Sequence, residues 1–287
     1  MPELPEVETV RLQLTRHVRG KTITKAKIYH PKTANFDTSF EQKLQKQTID
    51  QIERIGKLLI FSFTNQKDLF LLAHLKMTGQ FFYKDRENLV GGGHSMTEQD
   101  RAILPGPHTR TAFFFSDQSA LYFNDMRLFG YTKLADALTV SHARAGFGPE
   151  PIDPEFDLPW FASKLRKKNT PVKAALLDQS FVSGLGNIYV DEALFRAGIR
   201  PTRRANRVKK SEAIQLGTEC GAVMNESIAV GGTTFQHFLD ADGNTGNFTE
   251  HLRVFGKQNK PCPTCGTNII KIKVAGRGTH YCPVCQT

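Results

Sequence analysis

No apolar run in the 287-residue chain reaches the about 20 residues that a bilayer-spanning helix needs, which excludes a helical membrane anchor. The first residues lack the basic-then-apolar pattern of a secretory leader, so a cytoplasmic protein is expected. Evenly spread cysteines are also lacking. Four of the five fall in the last 26 residues and Cys220 stands apart. An odd, clustered set excludes a disulfide framework. Acidic residues are scarce in one half only. Residues 160–287 hold 18 Lys+Arg against 9 Asp+Glu, whereas residues 1–159 hold 20 against 19. Nearly all of the net charge of +10 therefore lies in the second half. A basic half points to a polyanion, nucleic acid before an acidic membrane.

What is present divides into two patterns. Apolar Val7, Val10, Leu14 and Val18 form one face of a helix that stops at Gly20. From Thr22 to Leu134 the pattern becomes eight short β-rich runs separated by polar turns, which predicts an antiparallel sandwich or barrel. The stretch Asp85–Pro107, with Gly91-Gly92-Gly93, reads as a long, mobile polar loop. Gly, Pro and acidic residues at 146–159 mark a linker. Helices are predicted beyond it, at Leu158–Lys168, Pro171–Gln179, Ile188–Ala197 and Ser211–Val230. The expected division is therefore 1–145, a linker at 146–159, a helical domain at 160–256 and a finger at 257–287.

Met1-Pro2-Glu3-Leu4-Pro5-Glu6 is the stretch with the most chemistry. Removal of Met1 would make Pro2 a free secondary amine. An α-amino group titrates near ~7.7–8, so part of it is nucleophilic at neutral pH. Amine attack on a sugar carbon gives a Schiff base, and Glu3 stands one residue away to move a proton. The plain alternative is a frayed tail.

Cys262-x-x-Cys265 and Cys282-x-x-Cys285, 16 residues apart, have the spacing of a closed four-thiolate zinc site that is structural rather than catalytic. Between the pairs, Arg277 lies between Gly276 and Gly278, where the backbone can approach another surface closely. Gly184-Leu185-Gly186-Asn187 is a glycine turn before a helix, a place for a phosphate or simply a tight helix connection. Met77, Arg127 and Phe129 follow strands. An apolar wedge with an arginine suits insertion into a base stack, although a lone Met or Phe usually packs in a core.

Taken together, Pro2-Glu3-Leu4-Pro5-Glu6, the Asn187 turn and the four-cysteine finger with Arg277 resemble bacterial formamidopyrimidine-DNA glycosylases over essentially the whole chain. The resemblance implies a two-domain α+β fold. An N-terminal antiparallel β-sandwich with flanking helices would precede a helix–two-turn–helix domain ending in a four-cysteine zinc finger. It implies removal of oxidised purines (8-oxoguanine, formamidopyrimidines) from double-stranded DNA, followed by β,δ-elimination at the abasic site. By position, Pro2 matches the Schiff-base nucleophile, Glu3 its acid partner and Lys57 the β-elimination lysine. Arg277 matches the finger-tip arginine linked to δ-elimination and phosphate binding. Met77, Arg127 and Phe129 match the void-filling triad. His74, His108, Lys168, Lys173 and Asn187 match DNA or lesion contacts. One structural zinc per chain, a monomer and a cytoplasmic, nucleoid-associated location are implied. The chain departs from the pattern in a long Asp85–Pro107 loop and in Lys76.

Two other readings stand at this point. One is an endonuclease VIII-like enzyme for oxidised pyrimidines, against which Leu4 argues. The other is a zinc-containing DNA-binding protein without catalysis. The Gly-, Thr- and Asn-rich segment from Gly231 to Phe248 suits a mobile loop that closes over a ligand, and the resemblance implies that it covers the flipped oxidised purine.

Overall fold

In the computed structural model the described residues are 2–87, 89–92, 103–233 and 248–287. The chain divides into two compact units, Met1–Ala145 with Val230–Asn247 and Gly146–Ala229 with Phe248–Thr287. The late segment that joins the first unit lies, by sequence pattern, within the second domain.

The first unit starts with helix α1, Leu4–Val18. Glu3 is its N-cap, and Glu6, three residues on, returns its carboxylate to the Glu3 amide at 2.7 Å. That bond satisfies a donor that a helix start otherwise leaves open. The stripe Val7, Val10, Leu14 and Val18 is buried in the main core.

Among the described residues of this unit, nine strands make two antiparallel sheets. In chain order they are β1 Ile23–Ile28, β2 Ile49–Ile55, β3 Leu58–Phe63, β4 Phe70–His74, β5 Gly79–Lys84, β6 Leu89–Gly92, β7 Thr109–Phe115, β8 Ala120–Asp125 and β9 Tyr131–Ala135. One sheet runs β1-β7-β8-β5-β6 and the other β2-β3-β4-β9. Phe61 of the second meets Phe81 of the first at 6.0 Å between ring centres, so the two share one core. This is the expected sandwich. Strand β6 lies inside the stretch expected to be a polar loop. Leu89 and Val90 supply enough apolar character to pair with β5, and Val90 is buried. Short helices α2, Phe40–Leu44, and α3, Ala137–Ala145, complete the unit.

Topology places two crossovers side by side. The chain leaves one sheet for the other at 75–78, after β4, and again at 126–130, after β8. His74 pairs with Tyr131 in one sheet and Gly79 with Asp125 in the other. The two crossovers therefore leave neighbouring strands at the same end.

The second unit is helical, with α4 Leu158–Leu165, α5 Val172–Leu176, α6 Asn187–Arg196, α7 Lys210–Ala229 and α8 Phe248–His251. Asp157 caps α4 by accepting the Trp160 amide at 2.8 Å. Gly217 of α7 has no side chain because Leu158 and Phe161 of α4 occupy the space, 2.7 and 2.9 Å from where a Cβ would sit. A hairpin of β10, Ile270–Val274, and β11, Arg277–Tyr281, follows. Its two turn residues, Ala275 and Gly276, both have positive φ, 48° and 76°. That is the twist-matched form of a two-residue hairpin turn, and it places Arg277 at the tip.

Candidate functional site

Residues 2 and 3 are not frayed. Pro2 and Glu3 are both buried at the head of α1. Beyond the Glu3 amide, the Glu6 carboxylate also accepts the Thr233 amide at 2.7 Å. One side chain thus joins the first residues to position 233. Gly232, at φ 91°, passes so close that a Cβ would lie 3.3 Å from Glu6 Cγ. The segment expected to cover a base continues past 233 and lies, up to residue 247, outside the described residues.

Lys57 is buried on the two-residue turn between β2 and β3, where Gly56 has φ 54°. Arg54 braces that turn, donating to the Gly56 carbonyl at 2.9 Å and to Glu8 at 2.8 Å. Burial alone would push the Glu8 carboxyl up, but hydrogen bonds from Arg11 and Arg54 outweigh it and hold it below the usual range. Because Leu58 pairs with His74, Lys57 and His74 are neighbours. Burial, with the Lys76 and Lys57 cations behind it, lowers His74 to about 3. The imidazole is therefore neutral. Its Nδ1 accepts the Lys76 amide at 3.0 Å, so its proton sits on Nε2 and that nitrogen is a donor.

Met77, Arg127 and Phe129 come together on the two crossovers. Arg127 Nη1 lies 3.3 Å from Met77 Sδ, and the guanidinium stands 4.7 Å over the Phe129 ring. Met77 is 38% and Phe129 48% exposed, which rules out the core role that base rates favour. His108 precedes β7, and its carbonyl accepts the Asp125 amide at 2.9 Å.

In the second unit Lys168 is half-buried, 2.9 Å from Asp178 and over the Phe181 ring. The resemblance puts Lys173 at the DNA. The structure instead puts its ammonium inside the protein, 2.6 Å from Asp191 with neither side chain exposed, and 3.2 Å from the Gly278 carbonyl. Asn187 Nδ2 donates to the same carbonyl at 2.9 Å. Asp191 also accepts the His280 amide at 2.8 Å. Lys173, Asn187 and Asp191 therefore clasp the hairpin just behind Arg277, which is exposed. Glu192, also fully buried, accepts the amides of Arg253, Val254 and Phe255 at 2.8–2.9 Å. Burial pushes its carboxyl up against the pull of those amides.

The four finger cysteines converge, with ligand atoms all within 4.8 Å of one another. Cys262 and Cys285 sulfurs stand 3.9 Å apart, and Cys265 and Cys282 sulfurs 3.5 Å. Four sulfurs each about 2.3 Å from one ion would stand about 3.8 Å apart, so the set fits a tetrahedral metal. Its core also includes Phe195 of α6, Val254 and Ile269.

Several residues in this arrangement went unmarked by sequence pattern: Asp125, Asp191 and Glu192. Only Glu6 carried a local signal, the three-residue spacing of a helix-start pair.

The β-sandwich with its exposed wedge, the helical unit and the four-cysteine finger each correspond to a domain of known families. Residues 1–132 match the family model described as the formamidopyrimidine-DNA glycosylase N-terminal domain, 147–238 its H2TH domain and 259–287 the zinc finger found in FPG and IleRS. The chain belongs to the formamidopyrimidine-DNA glycosylase family of DNA glycosylases. It is 41% identical over 291 residues to the formamidopyrimidine-DNA glycosylase of an Exiguobacterium species, covering 100% of this chain and 99% of the relative. It is 41% identical over 290 residues to that of Lactiplantibacillus plantarum, with the same coverage. Among solved structures, the Lactococcus lactis Fpg complex with abasic-site DNA superposes with TM-score 0.85 at 34% identity, covering 99% of each chain. A variant of that protein bound to Fapy-dG DNA gives 0.86 at 35%, covering 100% of each. Among the described residues no helix is long and apolar enough to cross a membrane.

Proposed function

We propose that the protein excises oxidised purines, 8-oxoguanine and formamidopyrimidines, from double-stranded DNA and cleaves the abasic strand through a Schiff base on Pro2. The observation that carries this reading is the buried, hydrogen-bonded start of α1, where a free terminus would ordinarily fray. The target nucleotide is flipped out, because its sugar is unreachable in a stacked duplex. The neutral Pro2 amine then attacks C1′, the bond from C1′ to the base breaks, and the proton shed by the Pro2 nitrogen goes to the departing base. Glu3 passes a proton to the ring oxygen as the sugar opens, leaving an iminium between Pro2 and C1′. The iminium acidifies the neighbouring C–H. Loss of that proton expels the 3′ phosphate, and a second elimination expels the 5′ phosphate.

Lys57 serves the first elimination and Arg277 the second, Arg277 also holding phosphate, while neutral His74 offers Nε2 as a donor to DNA. His108, Lys168 and Asn187 line the DNA path, while Lys173 acts by holding the hairpin. Met77, Arg127 and Phe129 fill the gap that flipping leaves. Zinc is the ion proposed for the four cysteines, where it supplies folding energy. The working form is a monomer that is nucleoid-associated in the cytoplasm.

The test is borohydride trapping on a duplex containing 8-oxoguanine, with peptide mapping of the adduct. An adduct on Pro2, in protein whose mass lacks Met1, is expected. An adduct on Lys57, or none, refutes the nucleophile. A preference for thymine glycol replaces the purine reading with the endonuclease VIII-like one.

A further inference from the structure

We propose that Asp125 is a positioning residue that makes Met77, Arg127 and Phe129 a single wedge before DNA arrives. This rests on the gap-filling role given to those three side chains. Asp125 ends β8, and its side chain has no exposure to solvent. Its carboxylate is the joint between the two crossovers. Oδ1 accepts from the Thr78 hydroxyl, next to Met77, and from the Arg127 amide at 3.1 Å. Oδ2 accepts the Gly130 amide at 2.7 Å. The Thr78 oxygen also lies 3.2 Å from the Arg127 amide.

These donors come from two segments about fifty residues apart, and the two oxygens of one carboxylate, each able to accept more than one hydrogen bond, serve all of them. The 126–130 crossover needs such an outside anchor. Leu128 is held at φ 55°, in the left-handed region that a leucine rarely adopts. Gly130 passes so close to its surroundings that a Cβ would lie 2.8 Å from Phe123 and 2.9 Å from the His74 carbonyl. The backbone of Asp125 is fixed as well, its amide on His108 and its carbonyl on Arg110 Nε at 2.7 Å.

With both crossovers tied to one buried group, three long exposed side chains meet at a common point without DNA. A preformed wedge loses less conformational freedom on insertion than three independent side chains do. The clamp therefore acts on the speed of base unstacking and leaves the chemistry at C1′ alone.

The experiment is stopped-flow fluorescence on a duplex with 2-aminopurine beside 8-oxoguanine, read together with single-turnover excision. Asp125→Asn turns an NH2 group toward amide donors, and Thr78→Val removes the cross-loop hydroxyl. Each should slow the fluorescence rise and excision about tenfold, the usual scale for a broken buried hydrogen bond. Cleavage of preformed abasic DNA should lose far less. Thr78→Ser, which keeps the hydroxyl, should behave as wild type, a rescue that a bulk packing role would not give. Wild-type rise in both Asp125→Asn and Thr78→Val, or equal losses on abasic DNA, overturns the proposal. If Asp125→Asn fails to fold, Thr78→Val decides. Arg127→Ala separates the two levels. If it is slow while the clamp variants are normal, only the clamp falls. If it is also normal, the gap-filling role falls with it.

Discussion

The Lys173 ammonium and the Asp191 carboxylate meet at 2.6 Å with neither side chain exposed to solvent. Breaking such a pair from one side strands a charge in the interior, at about 3–5 kcal/mol. Lys173→Ala should therefore lower the stability of the helical unit by that order in denaturant unfolding, and weaken DNA binding with it. The double change Lys173→Met with Asp191→Leu should recover most of the stability, since apolar replacement of a buried pair is often neutral. It should leave DNA binding impaired, because the Lys173 bond to the Gly278 carbonyl and the Asp191 bond to the His280 amide are both still gone, and Asn187 alone holds the hairpin. Full recovery of binding would mean that the hairpin needs no such grip.

Removing the finger metal should have a similar consequence by another route. Cys282→Ser deletes one of four converging sulfurs, and structural zinc supplies folding energy directly. Metal content measured by mass spectrometry should fall, and DNA affinity should fall with it. Arg277→Ala should keep the metal and lose affinity and strand cleavage. Unchanged affinity in the metal-free protein would detach the finger from DNA binding.

Under the proposed mechanism, Glu3→Gln removes the proton carrier and leaves the Pro2 amine in place. Excision of 8-oxoguanine should fall by about 10²–10⁴, the range for losing general acid–base help. Borohydride should still trap the variant on preformed abasic DNA, where no base has to leave. Loss of both activities together would assign Glu3 to the fold of the N-terminus rather than to proton transfer.

His74 gives a pH signature whose sign is fixed by burial. Its folded value is lowered to about 3, whereas an unfolded histidine sits near ~6.5. Between those values the unfolded chain binds a proton that the folded chain does not. Its contribution to stability is thus present above about 6.5 and is lost as pH falls, by at most about 1.4 kcal/mol per pH unit. His74→Gln should flatten the urea midpoint between about pH 7 and 5 relative to wild type. Nitrogen-15 spectra should show a neutral ring, protonated on Nε2, over the same range. An imidazolium signal near pH 6 would refute the neutral tautomer and the acceptor role of Nδ1.

Local pattern made much of this molecule legible. The α1 stripe, the strand runs and the paired C-x-x-C spacing each depend on residues a few positions apart, and each formed as read. Strand β6 was hidden because two apolar residues in a glycine-rich polar stretch give too short a period to register. Lys173 was misplaced because a lysine's exposure depends on what faces it, and Asp191 is 18 residues away. Asp125 and Glu192 are ordinary acidic residues in sequence. Their meaning comes from amides tens of residues distant, supplied by the topology of the sheets and the docking of the finger.

The carbonyl oxygen of Gly278 receives both Lys173 and Asn187. It belongs to the main chain, so no side-chain replacement at position 278 can delete it. The latch between the finger tip and the glycine turn is written in hairpin register, not in residue identity. Residues along the outer hairpin can vary without releasing it, provided Lys273 still faces Gly278 across the ladder. A slip of one residue would turn that oxygen away and undo both bonds at once. The aim of Arg277 is in this sense a property of backbone alignment, guarded by the four sulfurs that close the loop behind it.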